Sequence, residues 1–162
     1  ARGMGDFAAG KMGAYTGPTG AASAEDVAQA IIDLEGLYSS KAKDLADTIV
    51  NISPASDDSI AALDIPADLA AVMKKRDGGH YVFDYKLYST SEIATKKDGD
   101  ILPVGENIDG DMIGLKDGAV VTMNEASDVL APSFGIFIQR FRDAVLSNKV
   151  EWAEVGWVSI QS

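Results

Sequence analysis

Three changes of pattern along the chain predict an α+β fold, with helices packed on a mainly antiparallel sheet behind a flexible Gly/Ala-rich N-terminal arm. Apolar residues recur at helical spacing over residues 25 to 52 and again after Pro66. From His80 the period shortens to two, and β-branched and aromatic residues take over. A second long helical stripe, Phe134 to Val145, follows a run of short strand and turn signals. Helical runs kept apart from consecutive short strands point to segregated layers, not to alternating β-α-β units.

The chain has 162 residues, 14 Lys and Arg against 25 Asp and Glu, one His and no Cys, for a formal charge of −11. A domain of this size buries roughly 68 to 70% of the surface its unfolded chain exposes, enough for a core without disulfides or a structural metal. The lack of Cys excludes thiolate chemistry, iron–sulfur ligation and cysteine zinc sites, and leaves the compartment open. A pI near 4.4 repels phosphate backbones and draws basic protein surfaces inward, so the expected partner is a protein or a multi-subunit complex and not nucleic acid. No apolar run approaches the ~20 residues of a bilayer span, so the expectation is a soluble chain that reaches membranes only through a partner. The sequence opens at Ala1 and not Met. A removed targeting peptide, as for a plastid, would explain that, and so would a cleaved tag or a trimmed terminus; without such a peptide the expected location is cytoplasmic.

Residues 1 to 24 are rich in Gly and Ala with no sustained period, and are expected to be a flexible docking arm. The arm carries +1 and leaves −12 on the rest, and its Phe7 and Tyr15 are candidate partner anchors. Ser23 with Asp26 reads as an N-cap, and Val27, Ile31, Leu34 and Tyr38 follow at helical spacing. The helical segment 25–52 is either one bent helix or two joined near Ser39. SPASDDS, residues 53–59, reads as a linker before an α+β domain at 60–162. In that domain Pro66 opens a helix whose end Lys74, Lys75 and Arg76 would complement, and Asp77-Gly78-Gly79 stops it. A strand from His80 is expected to continue through YSTSEIA after a bend. ILPVGE, MIGL and AVVTM read as strands, the last two joined through Lys116-Asp117-Gly118. Ser133 caps a helix with Phe134, Phe137, Ile138, Phe141 and Val145 on one face and Gln139, Arg140 and Asp143 opposite. VEWAEVGWVSIQS reads as a last strand or an extended strap.

IPADLAAVMKKRDGG, LYSTSEI, ENIDGDMIGL and SFGIFIQRF, taken in this order over about residues 63–147, resemble the SUKH superfamily, the Smi/Knr-type domain. Asp77 departs from the family's frequent Asn, the helix before Pro66 shrinks to SIAALD, and the first 50 residues have no counterpart. The resemblance implies an α+β protein-binding module without catalytic residues, of the kind found in toxin-neutralising immunity proteins and in regulatory scaffolds.

No pattern of residues supports an enzyme. His80 has no nucleophile-elbow sequence to serve and too few companions for zinc, so a structural or solvent-exposed role is expected. Asp98, Asp100, Asp109 and Asp111 make two Asp-Gly-Asp turns that lack the EF-hand spacing, and turn chemistry accounts for both. No phosphate loop exists, and no cofactor or metal is expected. Trp152 and Trp157 either anchor the C-terminal tail or face a partner. The reading adopted is a non-catalytic interaction module, an accessory subunit docked on a larger complex such as an organellar photosynthetic one. The alternative is an immunity-type inhibitor whose acidic body suits a basic toxin such as a nuclease.

Overall fold

The computed structural model describes residues 23–97, 99–125 and 127–160. It is an α+β fold: the described residues form six helices and an antiparallel six-stranded sheet in which every strand pairs with its sequence neighbour, followed by a separate two-stranded hairpin. Helix α1 (Ala24–Lys41) starts at a capping box, where Asp26 N donates to Ser23 Oγ (3.1 Å) and Ser23 N to Asp26 Oδ2 (3.4 Å). Its Val27, Ile31, Leu34 and Tyr38 are buried, and it packs on α4 (Ala67–Met73) and α6 (Phe134–Leu146). The N-terminal helices and the sheet region thereby share one hydrophobic cluster. No described helix is long and apolar enough to cross a membrane.

The 25–52 segment is two helices, broken at Ala42 and not near Ser39. Ala42 leaves helical geometry at φ −155°, ψ 67°, and α2 (Lys43–Ile49) then buries Leu45 and Ile49. Residues 53–59 are only half a linker, because Ser56 Oγ accepts from Ser59 N and caps α3 (Asp57–Leu63). Pro66 is the N-cap of α4, one position outside the helix. Arg76 does not neutralise the end of α4; it reaches back to α1, as described below.

The segment expected as one strand from His80 is a tight hairpin followed by a helix. Strands β1 (Tyr81–Val82) and β2 (Tyr85–Leu87) pair antiparallel around Phe83 and Asp84, with Phe83 at φ 56°. Asp84 suits a tight turn, but a bulky Phe at positive φ does not. The positive φ is held by packing, since the Phe83 ring is fully buried with centroids 5.7 Å from Phe137 and 5.2 Å from Phe141. YSTSEIA is not strand. Ser89 and Glu92 form a second capping box, and α5 runs over Thr90–Lys96. Local capping chemistry outweighs the β-branched composition there. Gly78 (φ 84°) and Gly79 (φ 90°) turn the chain from α4 into β1. A Cβ at Gly78 would sit 2.6 Å from Ser89 N, so only glycine fits.

Strands β3 (Leu102–Glu106), β4 (Met112–Lys116), β5 (Ala119–Thr122) and β6 (Val129–Ala131) complete the meander. Asp117 and Gly118, both at positive φ, close the β4–β5 turn. Helix α6, capped by Ser133, covers the sheet with Phe134, Phe137, Ile138, Phe141 and Val145, all fully buried. The opposite face is not solvent. Gln139 is buried as well, and Arg140 Nη1 donates to the Leu130 carbonyl (2.8 Å), covering the end of the outer strand β6. The C-terminal stretch is a hairpin of β7 (Val150–Trp152) and β8 (Trp157–Ser159), not a single strand.

Replacing Phe137 or Phe141 by Ala should cost about 3 to 5 kcal/mol each, the usual penalty for emptying a large aromatic site. Arg140→Ala should cost about 1 to 2 kcal/mol through the stranded Leu130 carbonyl. Urea denaturation checks the ranking, and Arg140 ranking above both rings would refute this packing.

Candidate functional site

Two polar constellations and one groove stand out. The first constellation is interior. His80 is 1% exposed; Tyr38 Oη lies 3.0 Å from its Nδ1, and Glu35 Oε2 lies 3.2 Å from its Nε2, within ion-pair range though off the line of a hydrogen bond. Burial, reinforced by the charge of Glu35, pushes the Tyr38 phenol far up, so it stays protonated. The phenol and Nδ1 share a hydrogen bond whose direction is set by the imidazole tautomer, and Nε2 faces the carboxylate. Arg76 grips the same carboxylate with two nitrogens, Nη2 to Oε1 (2.9 Å) and Nε to Oε2 (3.2 Å), and Nη1 donates to the Ile52 carbonyl (3.0 Å). Burial alone would raise the Glu35 pKa, but His80 and Arg76 outweigh it and hold the carboxyl at about 2. His80 is a structural residue that ties α1 to the start of the sheet.

The second constellation sits under the β3–β4 turn. Asn107 Oδ1 accepts from the Asp109 and Asp111 backbone N–H groups, both at 3.0 Å, and orders the second Asp-Gly-Asp turn. Its amide nitrogen approaches Asp84 Oδ2 at 3.5 Å. Asp84 is 6% exposed, and its Oδ1 has no hydrogen-bond partner. Burial pushes its carboxyl up to about 6, opposed by the Asn107 contact and aided by the charge of Asp109. Among the described residues no three His, Asp or Glu side chains converge to hold a metal; Asp98 lies outside the described residues, and Asp100 is exposed on its turn.

The groove lies on the face of β1–β3 that turns away from the core. Cross-strand register puts Tyr81 opposite Lys86 and Lys86 opposite Glu106, so the three side chains share that face. One hollow of about 310 Å³ is walled by α2, the start of α5 and Trp152; a second of about 270 Å³ extends toward Ile108 and Val155. The two meet along Tyr81, Lys86, Leu87 and Glu92. Trp152 stands edge-on to Tyr81 (5.1 Å) and donates from Nε1 to Asp44 Oδ1 (2.6 Å). Ile108 and Val155, 69% and 46% exposed, give that end of the groove an apolar rim. Carboxylates dominate the polar lining: Asp44, Asp77, Glu92, Glu154 and Glu106 against the single Lys86.

Of the expected partner anchors, Trp152 is half-buried on this groove, whereas Trp157 is an interior residue with no exposed surface, packed on Tyr38, Phe141 and Trp152. Phe7 and Tyr15 lie outside the described residues. Tyr81, Lys86, Ile108 and Val155 were not singled out by sequence. The alternation of Tyr81 with Val82 and of Lys86 with Leu87 marks the outward face, but only the cross-strand register joins it to Trp152. No protein-family profile matches the chain, and no curated protein matches it either.

Two pH dependences follow. The Glu35 pKa lies below its unfolded value, so its stabilisation is complete above about pH 4.5 and is lost as pH falls toward 2. Glu35→Gln should therefore cost about 2 to 3 kcal/mol at pH 7 and progressively less as pH drops through that window. Asp84 is the opposite case. Its pKa is raised from 3.8 to about 6, so the fold loses stability as pH rises between those values. Asp84→Asn should stabilise by about 1 to 3 kcal/mol at pH 7, with the gain gone near pH 3.5. Urea titrations across pH, read as differences from the unsubstituted protein, test both.

Proposed function

We propose that the protein is a non-catalytic interaction module of SUKH-like type, acting as an accessory subunit docked on a larger protein complex. The observation that carries this reading is the groove, where a half-buried Trp–Tyr pair, an exposed apolar rim and a ring of carboxylates combine on one open sheet face. That mixture of aromatic anchors within a polar border is how protein-binding surfaces are built. The hollows are open and shared along one line, a shape that admits a polypeptide more readily than an enclosed metabolite. The order of Pro66-led helix, Gly-Gly turn, antiparallel strands and Ser133-capped helix supports the SUKH-like assignment; the helix at Thr90–Lys96, where a sheet segment was expected, departs from it. The buried His80, Glu35 and Tyr38 are already occupied with one another, which leaves them a structural role.

The acidity of the groove also favours the alternative, an immunity-type inhibitor of a basic toxin. The N-terminal arm separates the two. An accessory subunit with arm and groove both engaged gains from the second attachment, because the linked contact is effectively intramolecular.

A photo-crosslinking residue at position 108, on the groove rim, should trap a partner protein in extract of the source cells, whereas the same residue at position 32, exposed on α1, should not. Equal trapping at both positions, or none at 108, would refute the groove as the interface. Removing residues before Ser23 should weaken capture if the protein is an accessory subunit. Full capture by the shortened chain, with steep loss between low and physiological salt, would favour the inhibitor.

A further inference from the structure

We propose that the groove recognises an arginine side chain on an extended segment of a basic partner protein, with the guanidinium replacing the chain's own Lys86 ammonium against the Tyr81 ring. This rests on the groove being a protein-docking site, and it specifies the chemistry that the groove selects.

Three observations carry it. The first is that both tyrosines of the groove already hold a cation from this chain: Lys86 Nζ lies 5.9 Å from the Tyr81 ring centroid and Lys96 Nζ 5.3 Å from that of Tyr88. Neither lysine forms an ion pair among the described residues. The faces of these rings therefore attract positive charge, and the groups now there are long, exposed chains that are cheaply displaced.

The second is spare acceptor capacity. Asp44, Glu92 and Glu106 each commit one oxygen inward, to Trp152 Nε1, Ser89 N and Tyr88 Oη respectively. Those bonds fix the carboxylates while leaving the second oxygen of each without a partner among the described residues. Glu154, held on the β7–β8 turn at φ 70°, has no side-chain hydrogen bond or ion pair among the described residues. Burial, with the Glu106 contact, pushes the Tyr88 phenol up, so it remains a donor that orients Glu106 throughout the neutral range. Asp77 is different: both its oxygens are used by Thr90, and it is part of the scaffold.

The third is selectivity by charge and shape. A groove with this lining on a body of −12 repels acidic peptides, nucleic acid and anionic lipid alike. Between the two cationic side chains, arginine is favoured: its planar guanidinium stacks on an aromatic ring, is weakly hydrated, and offers a fork of donors to neighbouring carboxylates, whereas a second ammonium would merely duplicate Lys86. The apolar rim of Ile108 and Val155 then accommodates the flanking residues of an extended segment.

The test uses the full chain and three short capped peptides, identical but for two arginines, two lysines or two glutamates, titrated by NMR with Trp fluorescence in parallel. The arginine peptide should bind more tightly than the lysine one and the glutamate one not at all, with shifts centred on Tyr81, Lys86 and Trp152. Glu154→Gln should weaken arginine binding roughly two- to fivefold, as expected for losing one exposed ion pair. Lys86→Met should strengthen it by a similar factor by removing the competing ammonium, an outcome that a misfolded variant cannot mimic. Equal binding of all three peptides, shifts centred elsewhere, or no gain from Lys86→Met would overturn the proposal. If crosslinking at position 108 still traps a partner while the arginine peptide fails, the arginine assignment falls and the docking module stands; if both fail, both fall.

Discussion

A chain of aromatic contacts leads from the interior of the molecule to its groove, and most of the site's geometry depends on it. Phe83 is packed against Phe137 and Phe141; Phe141 meets Trp157 at 5.6 Å, Trp157 meets Trp152 at 5.5 Å, and Trp152 meets Tyr81 at 5.1 Å. The first of these contacts forces the β1–β2 turn into a conformation its residues would not choose, and the last presents an edge-to-face pair to solvent. Gly156 lets the β7–β8 hairpin close onto that turn: Trp157 N donates to the Phe83 carbonyl (2.8 Å), and a Cβ at Gly156 would come within 2.8 Å of Asp84 Cα. The strands and the Trp152 wall of the groove are thus backed by the core.

The interior charges divide in the same way between support and cost. Glu35 is held by two partners from distant parts of the chain, so the cost of its partial burial is offset and the pair α1 and β1 is locked in register. Asp84 meets Asn107 only at 3.5 Å, and its Oδ1 has no partner among the described residues. This carboxylate, next to the turn that carries Asn107 and Ile108, is kept at the expense of stability. Its neighbours show what it accompanies: the Asp-Gly-Asp turn that supplies the groove's apolar rim.

Much of the fold was legible because its signals are local. Capping at Ser23 and Ser133, the apolar stripe from Phe134 to Val145, the Asp117-Gly118 turn and the short strands around it each depend on residues within a few positions of one another. The capping box at Ser89 and Glu92 was equally local, but it was obscured by the β-branched and aromatic residues around it. The hairpin at Phe83 and Asp84 was hidden for the opposite reason. A Phe before the Asp does not announce a turn, and distant segments, the rings of α6 and the Trp157 N–H among them, hold it there.

By itself, then, the sequence determined the α+β class, the acidic character and the amphipathic faces, since composition and periodicity act on each element separately. Tertiary structure decided which of two tryptophans is buried and which faces the groove, that Arg76 serves Glu35 in place of a helix end, and that Tyr81, Lys86, Trp152 and Glu154 form one surface. Those outcomes turn on cross-strand register and on contacts between residues distant in the chain, as between Asp44 and Trp152, 108 positions apart. No periodicity within one segment encodes such pairings, because the energy that selects them arises only when separate segments exclude water from each other.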